Sequence, residues 1–175
     1  MKNVLVVGSG AREVAIARCI SQSSIKNSLF CVSKDINPQI FDLCKGYFVT
    51  DLSNISDIVS YSKKTEVDFA IIGPENPLAN GIVNELENVG VGCVGPKKEV
   101  ALIETSKTFA RKIIDRCCPE KNPQRKEFSS IEGVESFIKQ LGGEYVIKFD
   151  GLMGGKGVRV SGEHLKNIDE GVAYA

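Results

Sequence analysis

Charged side chains and glycine occur together in a loop near the end of the sequence. This segment reads Lys148-Phe149-Asp150-Gly151-Leu152-Met153-Gly154-Gly155-Lys156-Gly157. Lys148 ends an otherwise apolar run, where a charge is costly unless it meets an anion. Glycine N–H groups together with the Lys156 cation can cover a polyphosphate, whereas the alternative is a hairpin with a flexible tip. The segment is not a Walker A loop, because Lys156 is followed by glycine and valine and the loop leads into a strand.

A second candidate loop, Gly8-Ser9-Gly10-Ala11-Arg12-Glu13, follows the first apolar run and opens a helical pattern. Free N–H groups at a helix start attract a phosphate or carboxylate, and a plain tight turn is the equally open alternative. The dinucleotide fingerprint would need a third glycine where Glu13 stands, and no acidic residue ends the second apolar run at Ser33. The sequence therefore disfavours an NAD site.

The third loop is Gly73-Pro74-Glu75-Asn76-Pro77-Leu78, which follows the strongest apolar run. Open α/β sheets bind ligands at the carboxyl ends of their strands, so Glu75 and Asn76 could hold an amine or a hydroxyl. The alternative places Pro77 in the first turn of the next helix with Asn76 as its N-cap, and both can hold together.

Alternating strand and helix patterns must position these loops. Strands are predicted at Val4–Val7, Leu29–Val32, Tyr47–Val49, Phe69–Ile72 and Val91–Val94. Helices are predicted over Arg12–Ser21, through Ile55–Ser62 and through Leu78–Val89. This order implies βαβ units with a parallel sheet, and hence a doubly wound, Rossmann-like α/β domain over residues 1–100.

The pattern changes after residue 100. A helical stretch over Val100–Ile114 predicts a connecting helix within residues 101–118, and Pro119–Glu127 is a polar connector with two prolines. A helix is predicted through Ile131–Leu141, strands at Tyr145–Phe149 and Val158–Val160, and a helix at the end. Residues 119–175 are therefore interpreted as the truncated start of a second, α+β domain.

Composition excludes several classes of protein. The chain has 175 residues, of which 42% are hydrophobic and 25% charged, with a net charge of zero. These values exclude a disordered chain and give no basic excess for nucleic acid. No apolar run is long enough for a membrane helix or a signal peptide, so a cytoplasmic protein is expected.

Cysteine and histidine offer little chemistry. The six cysteines lack metal-binding spacing and are expected to be reduced thiols, with those in apolar patterns, such as Cys19, acting as small hydrophobic residues. His164 is the single histidine, which leaves almost no place for a Ser-His-Asp mechanism.

An ordered set of motifs along most of the chain resembles the glycinamide ribonucleotide synthetase (phosphoribosylamine–glycine ligase) family of ATP-grasp enzymes. The matching segments are Val4–Gly10 with Arg12-Glu13, Gly73-Pro74-Glu75 with Pro77-Leu78, Gly95-Pro96 with Lys98, Glu104 with Ser106-Lys107 and Phe109-Ala110, Val146–Lys148 with Asp150–Leu152, and Gly154–Val158. The resemblance implies a pre-ATP-grasp domain followed by part of an ATP-grasp lid subdomain.

That resemblance also implies an activity in purine biosynthesis. Such enzymes use ATP and Mg²⁺ or Mn²⁺ to phosphorylate glycine, and the amine of phosphoribosylamine then attacks glycyl phosphate. The ATP-binding residues it implies are Lys107, Lys148, Asp150, Gly151, Gly154, Gly155, Lys156, Gly157 and Val158, with Lys156 also catalytic. The phosphoribosylamine-binding residues it implies are Gly8, Ser9, Gly10, Arg12, Glu13, Gly73, Pro74, Glu75, Asn76 and Pro77. No nucleic-acid or membrane partner is expected.

The sequence departs from the family pattern at a few positions. Ala11 and Val14 stand where the family usually has glycine and histidine, and Met153-Gly154 replaces two alanines. Family members are longer, and their metal ligands are expected beyond residue 175, so the chain is expected to be an N-terminal portion that is inactive alone.

Two other functions stay open. Another ATP-grasp ligase or carboxylase would use a different co-substrate, such as bicarbonate in place of glycine. A non-catalytic nucleotide-binding module would bind ATP without turnover.

Overall fold

The computed structural model describes residues 1–175, which form two units, Met1–Leu102 and Ile103–Ala175. The strands of the first unit are β1 (Lys2–Val7), β2 (Asn27–Ser33), β3 (Gly46–Val49), β4 (Phe69–Ile72) and β5 (Gly92–Val94). Its helices are α1 (Ala11–Ser21), α2 (Pro38–Phe41), α3 (Ile55–Lys64), α4 (Glu75–Ala79) and α5 (Ile82–Asn88), and α6 (Lys98–Thr105) continues past the division.

All five strands are parallel and lie in the order β3-β2-β1-β4-β5. Strands β2 and β3 therefore extend the sheet on one side of β1, and β4 and β5 extend it on the other side. The carboxyl ends of β1 and β4 are adjacent, since Val7 pairs with Ile72. This reversal of strand order is the place where doubly wound sheets bind ligands.

Both faces of the sheet are covered by helices. Val4 and Val6 of β1 pack in a cluster with Ala17 of α1 and Ile40 of α2. Leu5 and Val7 belong to a second cluster that includes residues of α3, α4 and α5. Because β1 is buried on both sides, it carries the uninterrupted apolar run that the sequence shows. The prediction of a doubly wound α/β fold is confirmed.

One helical prediction in this unit is corrected, and one helix was not predicted. The pattern through Leu78–Val89 forms two helices, α4 and α5, because Gly81 between them has a left-handed backbone with φ of +87°. The short helix α2 was not predicted. Asn37 caps it with its side chain and Pro38 occupies its first turn, a sequence signal that was available.

The second unit contains α7 (Lys107–Cys117), a 3-10 turn (Pro119–Lys121), α8 (Val134–Gln140), β6 (Val146–Lys148), β7 (Val158–Val160) and α9 (Ile168–Tyr174). Strands β6 and β7 form an antiparallel hairpin in which Lys148 pairs with Val158. Its small core consists of Val134, Ile138, Tyr145 and Leu165.

The predicted single helix over Val100–Ile114 is wrong, and residues 101–118 do not form one connecting helix. Ser106 breaks it into α6 and α7, since its extended backbone and its hydroxyl, which accepts from the N–H of Phe109, start a new helix. None of the helices has the length and hydropathy that crossing a bilayer requires.

Candidate functional site

The loops after β1 and β4 are in close contact. The N–H of Gly73 donates to the carbonyl of Val7 at 3.1 Å. Gly8 has a φ of +112°, and a Cβ at this position would lie 2.9 Å from Cδ of Pro74. A residue with a side chain would therefore be strained at position 8 and would also push the two loops apart. The structure thus brings together two of the loops predicted to bind substrate.

Glu13 fills the space between these loops. It is only 4% exposed, and its Oε2 accepts a hydrogen bond of 2.6 Å from the N–H of Gly10. A Cβ added to Gly73 would collide with the Glu13 carboxylate, lying 2.6 Å from its Cδ. Glutamate at the third helical position therefore caps α1 by reaching back to the N-cap residue.

This cap changes the interpretation of the helix start. The free N–H groups at the helix start were predicted to attract a phosphate or carboxylate, but that of Gly10 already donates to the Glu13 carboxylate. A pyrophosphate placed there would also meet that negative charge. The structure thus gives a physical reason why Glu13, in place of a third glycine, disfavours a dinucleotide.

Arg12 links the two loops electrostatically. Its Nε lies 3.3 Å from Oε1 of Glu13, and its Nη2 lies 3.2 Å from Oε1 of Glu75. The Arg12 side chain is 59% exposed, so it presents a cation at the surface of the site. A hydrogen bond from its own backbone N–H and the contact with Arg12 hold the pKa of Glu75 below its usual value, despite partial burial. The two loops therefore present an exposed guanidinium beside an ionised carboxylate, groups that can bind a phosphate and an amine or hydroxyl.

The remaining loop residues have supporting positions. Pro77 is buried in the core side of α4, whereas Asn76 is exposed. The predicted N-cap role of Asn76 is wrong, because α4 begins at Glu75 with Pro74 before it. Ser9 accepts a hydrogen bond through its carbonyl from Nδ2 of Asn37 at 2.8 Å. Asn37 was missed by the sequence analysis, although its position before Pro38 marked it as a cap.

The second unit contains the glycine-rich loop, defined here as residues 151–157, at the tip of the β6–β7 hairpin. The N–H of Phe149 donates to the carbonyl of Gly157 at 2.9 Å and closes the loop. The side chains of Lys148 and Lys156 are exposed and make no hydrogen bond or ion pair. Because Lys148 lies at the surface, the expectation of a costly buried charge is wrong, although both ammonium groups are available to an anion.

Two other predicted ATP-binding residues, Asp150 and Lys107, contact each other's segments. The Asp150 carboxylate accepts hydrogen bonds from the start of α7, at 2.6 Å from the N–H of Lys107 and 3.0 Å from Oγ of Ser106. Nζ of Lys107 donates to the carbonyl of Gly151 at 2.7 Å. Asp150 and Lys107 thus hold the base of the glycine-rich loop.

The described residues provide no metal centre, since no three His, Cys, Asp or Glu side chains lie close enough together. The carboxylates described above are each hydrogen-bonded to arginine, to backbone N–H groups or to a hydroxyl.

Comparison with known proteins decides the family. The family model for the phosphoribosylglycinamide synthetase N domain matches residues 2–104, and the model for the ATP-grasp (A) domain of the same enzyme matches residues 105–174. The chain belongs to the phosphoribosylglycinamide synthetase family. The resemblance inferred from the motifs is thereby confirmed, and so is the assignment to ATP-grasp proteins.

Relatives with the name phosphoribosylamine–glycine ligase match the whole chain. The protein of Methanococcoides burtonii is 41% identical over 172 residues, which cover 98% of this chain and 39% of that protein. The protein of Pyrococcus furiosus is 40% identical, with 100% and 39% covered. The chain therefore spans about two fifths of the length of these phosphoribosylglycinamide synthetase relatives.

Solved structures support the fold. N5-carboxyaminoimidazole synthetase from Staphylococcus aureus, complexed with ADP, has a TM-score of 0.74 at 13% identity and covers 99% of this chain and 44% of its own. Phosphoribosylglycinamide synthetase from Anaerococcus prevotii has a TM-score of 0.63 at 14% identity, with 98% and 40% covered. At these identities the likeness indicates only a shared fold. The family assignment rests on the two phosphoribosylglycinamide synthetase models.

Proposed function

We propose that the chain supplies the phosphoribosylamine site and the phosphate-covering loop of an ATP-dependent ligase that joins glycine to 5-phosphoribosylamine. The observation that carries the proposal is the identity of about 40% to phosphoribosylamine–glycine ligases along the whole chain. In the reaction, the glycine carboxylate takes the γ-phosphoryl group of ATP, which gives glycyl phosphate and ADP. The amine nitrogen then attacks the acyl carbon and phosphate leaves, so that glycinamide ribonucleotide forms.

The first unit is proposed to bind the phosphoribosylamine. The exposed guanidinium of Arg12 would hold the 5-phosphate, while the ionised Glu75 would face an amine or ribose hydroxyl. Glu13 is engaged with Gly10 and would shape the site without touching the phosphate. Binding at this end of the sheet agrees with where doubly wound folds place their ligands.

The second unit is proposed to cover the triphosphate. Lys156 lies on a loop of glycines and has no partner within the protein, so its charge is free to meet the transferring phosphoryl group. A loop that brings such a cation to the phosphates acts through electrostatic stabilisation and exclusion of water. Lys148 at the end of β6 would bind the nucleotide in both the ground state and the transition state.

Divalent metal and cellular location belong to the same proposal. ATP is expected to act with Mg²⁺ or Mn²⁺, and no group of three His, Cys, Asp or Glu side chains in this chain could hold the ion. All six cysteines are free, as expected for a protein of the reducing cytoplasm. The partners that the proposed reaction requires are small molecules: phosphoribosylamine, glycine and ATP.

The test uses an extended protein, in which this chain is joined at residue 175 to the remaining sequence of the Methanococcoides burtonii relative. We expect ADP formation that depends on both glycine and phosphoribosylamine, the latter made in place from ribose 5-phosphate and ammonia. ADP formation with bicarbonate and not glycine would indicate an ATP-grasp carboxylase. ATP binding without turnover would indicate a non-catalytic module. The unaltered relative serves as the positive control for the assay.

A further inference from the structure

We propose that Asp150 is a positioning residue that fixes the base of the glycine-rich loop to helix α7, so that only the tip carrying Lys156 moves. The importance of this for phosphoryl transfer rests on the proposed function. The clamp itself rests on contacts within the second unit and can be tested without ATP. Asp150 then acts through Lys156 and does not bind the nucleotide.

Both carboxylate oxygens of Asp150 are used by consecutive groups at the start of α7. Oδ1 accepts from the N–H of Lys107 at 2.6 Å and from the N–H of Thr108 at 3.3 Å. Oδ2 accepts from Oγ of Ser106 at 3.0 Å. A carboxylate is stabilised at this end of a helix by the unpaired N–H groups and by the dipole. Asp150 is thus a second cap for α7, in addition to Ser106, from a distant part of the chain.

A side chain of α7 also contacts the start of the glycine-rich loop. Nζ of Lys107 donates to the carbonyl of Gly151 at 2.7 Å. Lys107 therefore contacts Asp150 through its backbone and Gly151 through its side chain. With the bond between Phe149 and Gly157 closing the hairpin at 2.9 Å, three consecutive residues at the loop entrance are fixed.

Beyond Gly151 the loop has little to hold it. The single backbone hydrogen bond within it joins the N–H of Lys156 to the carbonyl of Met153. Leu152 and Met153 are exposed, and a Cβ at Gly154 or Gly155 would meet no atom within 4 Å. We therefore expect conformational freedom between Leu152 and Lys156, whereas the adjacent segment Phe149–Gly151 is held by hydrogen bonds.

The charge of Asp150 is maintained by the clamp. Partial burial would raise the pKa of its carboxyl, but hydrogen bonds from Ser106 and from the backbone N–H groups of Thr108, Gly151 and Lys107 outweigh this effect and lower the pKa. The carboxylate is therefore ionised at neutral pH. Both of its oxygens already accept hydrogen bonds, and its negative charge would repel a triphosphate.

The first experiment measures amide exchange by NMR in this chain and in Asp150→Ala, Asp150→Asn and the control Asp169→Ala. Asp169 is an exposed carboxylate in the first turn of α9 and makes no hydrogen bond through its side chain. For Asp150→Ala we expect roughly five- to thirtyfold faster exchange at Lys107 and Thr108, as for a lost helix cap. Asp150→Asn, which keeps one acceptor oxygen, should show a smaller increase.

Exchange at the tip, residues 152–156, should be fast in every variant, and Asp169→Ala should match the parent chain. Unchanged exchange at Lys107 and Thr108 in both Asp150 variants would overturn the clamp. Slow exchange at the tip of the parent chain would overturn the separation of base and tip.

The second experiment is a double-mutant cycle in the extended protein. If Asp150 acts through Lys156, Asp150→Asn lowers kcat and leaves the KM for ATP within about twofold, and it adds no further loss to Lys156→Ala. Independent, multiplying losses would overturn the link to Lys156, and a raised KM for ATP with unchanged kcat would show Asp150 to be a direct ligand. An extended protein without any ligase activity would refute the proposed function, while the exchange result would stand.

Discussion

Glu13 and Gly73 form the tightest fit in the candidate substrate site, because the carboxylate occupies the space that a Cβ at residue 73 would need. We predict that Gly73→Ala destabilises the chain by about 2–3 kcal/mol, the usual cost of overpacking a filled site. The control Gly92→Ala lies in β5, next to β4, and places its Cβ 3.9 Å from Cβ of Phe69, so it should change stability by less than about 1 kcal/mol. Urea unfolding provides the measurement.

The collision can be tested directly in a Glu13→Ala background. Glu13→Ala alone should cost about 1–2 kcal/mol, because Gly10 loses its capping partner. Once that side chain is removed, Gly73→Ala should cost less than about 1 kcal/mol. If Gly73→Ala costs the same in both backgrounds, contact with Glu13 is not what requires glycine here.

Arg12 should matter for binding much more than for stability. Its ion pair with Glu75 is exposed, and such pairs contribute about 0–1 kcal/mol. We expect Arg12→Ala to weaken ribose 5-phosphate binding to this chain by about tenfold or more, since a charge-assisted contact with phosphate is lost. Titration calorimetry gives the affinity and urea unfolding gives the stability.

Arg18→Ala is the matched control, because Arg18 also lies on α1 but donates to Gln39 instead. Its affinity for ribose 5-phosphate should equal that of the parent chain. If the two substitutions weakened binding equally, Arg12 would not be a specific phosphate ligand, and the loss would reflect only a general effect of positive charge.

At the scale of elements, the β6–β7 hairpin places its two free lysines at different points, one in a strand and one in a mobile tip. In the extended protein, Lys148→Ala should raise the KM for ATP by about tenfold, because a fixed cation binds substrate and transition state alike. Lys156→Ala should lower kcat by about 10- to 100-fold and change the KM by less than about threefold, because the tip closes during the reaction. Steady-state kinetics at varied ATP measures both.

Lys166→Ala is a suitable control for charge in the same unit, since the side chain of Lys166 is exposed and makes no contact with a charged group. It should leave both constants unchanged. If Lys148→Ala instead lowered kcat and Lys156→Ala instead raised the KM for ATP, the strand lysine would act in catalysis and the tip lysine in binding, contrary to the prediction.

Sequence patterns located short apolar strands well. The predicted strands Phe69–Ile72 and Val158–Val160 agree with β4 and β7 to the residue. The two long helices were predicted wrongly, because apolar spacing continues across the breaks at Gly81 and Ser106 and periodicity alone does not see a change of backbone direction. The left-handed backbone of Gly81 decided the first case, and the side-chain cap from Ser106 decided the second.

The predicted sites divide in a similar way. The meeting of the loops at Gly8 and Gly73 follows from the pairing of β1 with β4, whereas the alternation of elements in the sequence predicts only a parallel sheet. The contact of Asp150 with Ser106 and Lys107 could not be predicted, because it joins residues more than forty positions apart and has no periodic signal. The family resemblance implied that Asp150 is an ATP ligand, and its neighbours in space show that its carboxylate also caps α7.

At the scale of the whole molecule, the two units differ in how much apolar surface they bury. Unit Met1–Leu102 has two clusters, one on each face of a five-stranded sheet, whereas unit Ile103–Ala175 has one cluster of four buried residues beside a two-stranded hairpin. Two-stranded sheets are marginal by themselves, and burial scales with stabilisation. The unit with the proposed moving loop is thus also the one with the smaller core.

We therefore predict that native-state hydrogen exchange separates the two units. Amides of β1, β2 and β4 should exchange only through global unfolding, and those of β6 and β7 should exchange through opening that needs at least about 2 kcal/mol less. Because local opening exposes little surface, the exchange of β6 and β7 should also depend less on added urea. One common free energy with one urea dependence for all five strands would mean that the chain unfolds as a single cooperative body, and the glycine-rich loop would then lie on a support as stable as the parallel sheet.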